Sequence, residues 1–131
     1  MKARREIPKR LEIVRADATE RVAGIDAALA SNSSAEAFAR RQAFDIAPIE
    51  RLASDAVDLL NQRQRKALKN ITDKMRDADE DLKEAAFHAW SPLTGLSERA
   101  MKRERLALLE IGMLIGAYLN GKLTDRGDAP A

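Results

Sequence analysis

Residues 106–121 read LALLEIGMLIGAYLNG. Wound into a helix, the stretch is apolar on almost every side, interrupted by Glu110 and by Gly112 and Gly116. A helix of that kind has to be covered all round. A bilayer is excluded as the cover, because the run is shorter than the ~20 apolar residues of a span and carries a carboxylate. The cover is therefore protein. Other helices of the chain supply part of it, and a second copy is expected to supply the rest through Leu109, Gly112, Met113 and Gly116. The two glycines have the small-xxx-small spacing that lets helix backbones approach closely.

The chain around this stretch reads as helix throughout. Its 131 residues suit one domain. Charged residues make up 34% and aromatics 4%, a balance that favours long helices with aliphatic cores. Ile7, Leu11, Val14, Ala18, Val22, Ile25 and Leu29 recur in steps of three and four, which predicts a helix over 7–30 with Pro8 in its first turn. "SNSS" at 31–34 breaks it. Ser33 and Glu36 then have the spacing of a capping box opening a helix over 35–46.

Between Ile49 and Trp90 there is no glycine or proline. One stripe runs Ile49, Ala53, Val57, Leu60, Gln64, Ala67, Ile71, Met75, Ala78, Leu82, Ala85, Ala89, and Gln64 is its one polar member. This predicts a single unbroken helix over 48–90, ~60 Å long. "SPLTGLS" at 91–97 ends it. Ser97 reads as the N-cap of a last helix over 97–121, closed by Asn120-Gly121, with 122–131 as a polar tail. The expected fold is all-α: a single helical domain, 1–131, forming an antiparallel bundle of coiled-coil-like hairpins around one long central helix, and dimeric.

The chemistry on offer is narrow. The absence of cysteine removes disulfides, thiolate metal sites and thiol catalysis. His88 is the one histidine, and it follows Glu84 by four residues and Asp81 by seven. Carboxylate-bridged di-metal bundles need Glu-x-x-His in duplicate, and this spacing is neither. No glycine-flanked nucleophile or phosphate-cradling loop is present. The reading is a non-enzymatic protein with no cofactor and no metal. The basic N-terminus lacks the apolar core of a secretory signal, so a cytoplasmic, non-membrane location is expected.

Binding is then the remaining class. Phe87 and Trp90 stand off the main stripe and are candidates to anchor a protein partner. Residues 1–15 hold six basic side chains against two acidic, and 63–76 six against one, while 16–62 and 77–90 are acidic. Arg4, Arg5, Lys9, Arg10, Arg65, Lys69, Arg76 and Arg103 are candidate phosphate contacts for nucleic acid. The interleaved carboxylates favour ion pairing on a solvated face instead, and no aromatics accompany the cations for base stacking. The expected function is a self-associating helical interaction or scaffolding protein. The alternative is a small accessory nucleic-acid-binding protein using basic segments 2–15, 63–76 and 99–105. No stretch matches a known family's motif over enough of the chain to carry a function across.

Overall fold

The computed structural model describes residues 2–31, 43–55, 58, 60–88 and 95–121, with side chains from Glu6 onward, Ser31 excepted. These form an all-α bundle of α1 (Lys2–Ser31), α2 (Ala47–Asp55), α3 (Gln62–His88) and α4 (Gly95–Leu119). No strand occurs among the described residues. Arg103 lies against Asp81 and Glu84, and Glu110 against Lys74, so α3 and α4 form an antiparallel hairpin. α1 packs along α4 and on α2, and α2 closes the ring against α3. Phe44 meets Asp79 and Glu50 meets Arg76, which sets the segment 44–55 antiparallel to α3.

α1 buries Ile7, Leu11, Val14, Ala18, Arg21, Ile25 and Ala28, in strictly alternating steps of four and three. The expected stripe took Val22 and Leu29 instead of Arg21 and Ala28. Both are only partly buried, one position off the centre line. The helix also starts earlier than expected. It runs through Pro8 from Lys2, because Ile7, 1% exposed, fixes the turn before the proline, whose missing N–H removes one hydrogen bond.

The single helix expected over 48–90 is two helices. Asn61 donates its N–H to Gln64 Oε1 at 3.0 Å, and Gln64 donates its N–H to Asn61 Oδ1 at 2.8 Å. This reciprocal pair is a capping box that starts α3 afresh. Beside it the Arg65 guanidinium donates to the Leu60 carbonyl at 2.7 Å. Beyond the break the expected stripe holds: Ala67, Ile71, Met75, Ala78, Leu82 and Ala85 are buried. Leu68, Thr72 and Asp79 are buried too, since α3 is flanked by α2 as well as α4.

Residues 32–42, which contain Ser33, Glu36 and most of the helix expected over 35–46, lie outside the described residues. Residues 43–46 are not helical. Ser97 is not an N-cap but the third residue of α4, buried, donating its hydroxyl to the Ala85 carbonyl at 3.0 Å. It satisfies one of the carbonyls that the end of α3 leaves without a helical partner. At the other end Asn120 and Gly121 close α4 as expected, with Gly121 at φ 70° and its N–H on the Tyr118 carbonyl.

Candidate interaction surface

Among the described residues, α4 is covered on one side only. Ala100, Met101, Glu104, Ala107, Leu108, Ile111 and Ile115 face the bundle and are buried. On the opposite side Leu106 is 60% exposed, Leu109 42% and Met113 75%. Their spacing of three and four residues puts them in one row. Of the four residues expected to meet a second copy, Leu109 and Met113 are exposed, and Gly112 and Gly116 are partly buried.

Gly112 and Gly116 flank this row. A methyl group added at either Cα would meet nothing within 4 Å beyond the helix's own backbone. No crossing among the described helices uses their small size. Beside the row runs a shallow groove between α3 and α4, lined by Asn70, Asp73, Lys74, Glu110, Met113 and Leu114. Its rim carries the Lys74–Glu110 ion pair at 2.7 Å, and the hydrogen bond to Glu110 raises the Lys74 pKa.

At the end of α3, Phe87 is 81% exposed and meets the His88 ring edge-on. Trp90 lies outside the described residues. Asp81 and Glu84 both hold Arg103, at 3.3 and 2.8 Å. Burial raises the Asp81 carboxyl despite that neighbour, and the two carboxylates raise Arg103. Among the described residues no cluster of His, Asp and Glu is arranged to hold a metal ion.

The candidate phosphate contacts are largely engaged inside the chain. Lys69 pairs with Asp73 at 3.0 Å, and Arg76 with Glu50 and Asp73. Lys9 lies 3.9 Å from Glu6. Arg65 holds the Leu60 carbonyl and Arg103 holds Asp81 and Glu84. Arg10 is exposed, and the side chains of Arg4 and Arg5 lie outside the description. Arg65, Lys69 and Arg76 face the α2 side of α3, whereas Arg103 approaches from the α4 side. Among the described residues, Arg65, Lys69 and Arg76 share one side of α3 and Arg103 does not join them.

Sequence reading missed a cluster of buried charges. Arg21 of α1, 7% exposed, reaches Glu104 of α4 at 2.7 Å and Asp79 of α3 at 3.0 Å. Asp79 also accepts the Phe44 N–H, at 3.0 and 3.2 Å to its two oxygens, and the Phe44 ring lies 4.2 Å from the guanidinium carbon. Burial raises the Asp79 carboxyl above its ordinary value, outweighing Arg21. One guanidinium thus ties three helices and the 43–46 segment together. Its signal in the sequence was the 4-3-4-3 spacing, which places position 21 on the seam whatever residue stands there.

No known family model, characterised protein or solved structure shows significant similarity to this chain.

Proposed function

We propose that this protein acts by binding rather than by catalysis, as a helical interaction protein that associates with itself through the outer face of α4. The observation that carries the reading is the exposed row Leu106, Leu109 and Met113 on a helix whose other side is fully packed. Large apolar side chains in a contiguous patch mark interaction sites on soluble domains. The reading as an interaction protein also accommodates Phe87, an exposed aromatic of the kind that anchors partners. The nucleic-acid alternative has less support, because Lys9, Lys69, Arg76 and Arg103 already hold carboxylates and Arg103 lies on a different side of α3 from Lys69 and Arg76.

Sedimentation velocity between about 1 and 100 µM tests the proposal. A mass above the monomer's, rising with concentration and abolished by Met113→Glu, is the expected result. A monomer across the whole range would remove the self-association reading.

A further inference from the structure

We infer that the partner on α4 is a second copy of this chain, docked antiparallel about a two-fold axis close to Met113. The inference rests on the self-association reading above and adds its geometry. The surface is self-complementary. Met113 projects from α4, and the groove beside it has Leu114 among its lining residues. A two-fold axis near Met113 lets each copy's Met113 enter the other's groove, which is the requirement of an isologous contact. The same axis sets Leu109 opposite Gly116 and Ala117 of the second copy. Gly116 has open space around its Cα there, so a Leu side chain is accommodated without a clash.

Charge selects the direction. Arg99 and Lys102 stand seven residues before Leu106 and Leu109, so they extend the exposed row toward the start of α4. A parallel pair would place Arg99 against Arg99 with both helix N-termini side by side, whereas Lys102 is offset by Glu98 at 3.1 Å. An antiparallel pair about Met113 sets the cations of the two copies at opposite ends of the contact, so that they do not meet. Three exposed apolar side chains and a groove cover less than the roughly 800 Å² per partner of a standard interface. The expected dimer therefore dissociates on dilution.

The chain has no cysteine, so single-cysteine variants report proximity without background. Leu106→Cys, Met113→Cys and Asn120→Cys are each oxidised above the concentration at which the unmodified protein associates. At a rise of 1.5 Å per residue, an antiparallel pair holds two copies of position 106 roughly 20 Å apart along the axis and two copies of 113 together. The expected result is a covalent dimer from Met113→Cys alone, and a mixed dimer when the Leu106→Cys and Asn120→Cys proteins are combined. Self-linking at all three positions would establish a parallel pair and overturn the inference while leaving self-association intact. A dimer by sedimentation with no link at 113 would also overturn it, by moving the interface elsewhere. A monomer by sedimentation would overturn the proposed function itself.

Discussion

Two regions of this molecule invert the usual rule of apolar inside and charged outside, and they do so in opposite ways. At the centre, Arg21, Asp79 and Glu104 put one positive and two negative groups where the neighbouring seam residues are aliphatic. On the outer face of α4, Leu106, Leu109 and Met113 put apolar side chains where the neighbouring residues are charged. The central cluster is resolved within the chain, since each charge has partners at hydrogen-bond distance. The outer row has no such resolution among the described residues. An inversion that the fold satisfies is a structural device, and one that the fold leaves open points outward to a partner.

The largest expected effect tests the closed half of this comparison. Arg21→Met keeps an unbranched apolar stem on the α1 seam but leaves Asp79 and Glu104 buried without the Arg21 cation between them. Removing one member of a buried ion cluster commonly costs about 3–5 kcal/mol. Urea denaturation should show a loss of that order, with circular dichroism reporting a helical but loosened protein. A loss under about 1 kcal/mol would mean that the two carboxylates reach water and the cluster does not tie the helices together.

The outer face gives a smaller effect whose sign is the informative part. Gly116 stands in the middle of α4 with open space about its Cα. Gly116→Ala should stabilise the isolated chain by about 1 kcal/mol, the difference in helix propensity. It should simultaneously weaken association, by filling the space that the second copy's Leu109 would occupy. Denaturation at sub-micromolar concentration reads the first effect and sedimentation the second. Equal stabilisation at high and low concentration would separate Gly116 from the interface.

How much of this was legible follows from what kind of signal each element carries. The α1 stripe through Ala18, the α3 stripe from Ala67 to Ala85 and the closure of α4 at Asn120-Gly121 are local patterns, and they appear as read. The break before α3 was also local. Gln64 was the one polar member of a twelve-residue stripe, and Asn61 stands three residues before it. Two good helix formers and the lack of glycine or proline hid a capping box that needs neither. Arg21 was concealed by hydrophobicity itself, because Val22 beside it looks like the better core residue. Strict alternation of steps was the stronger guide. What no local pattern could give is the pairing of Arg21 with groups 58 and 83 residues away, or which helices pack on the covered side of α4. Both depend on which helices become neighbours.

The finest test returns to the buried cluster and asks whether burial or ion pairing governs Asp79. Its carboxylate accepts from Phe44 N–H and from Arg21, while Arg21 keeps Glu104 independently. Asp79→Asn preserves an acceptor oxygen for Phe44 and removes one of the two negative charges. Burial holds the carboxyl above its ordinary value in the fold. A raised value in the folded state means that the stabilising contribution of this group is complete below the unfolded value of about 4 and is lost as pH climbs through the folded value. The wild-type chain should therefore gain on the Asn variant in acid and lose ground to it toward neutrality, with a difference within about 1 kcal/mol at pH near 7. Paired urea titrations at pH near 4 and near 7 measure that slope directly. A wild-type advantage that grows as pH rises would reverse the sign and show that the Arg21 ion pair, not desolvation, sets the balance at the centre of the bundle.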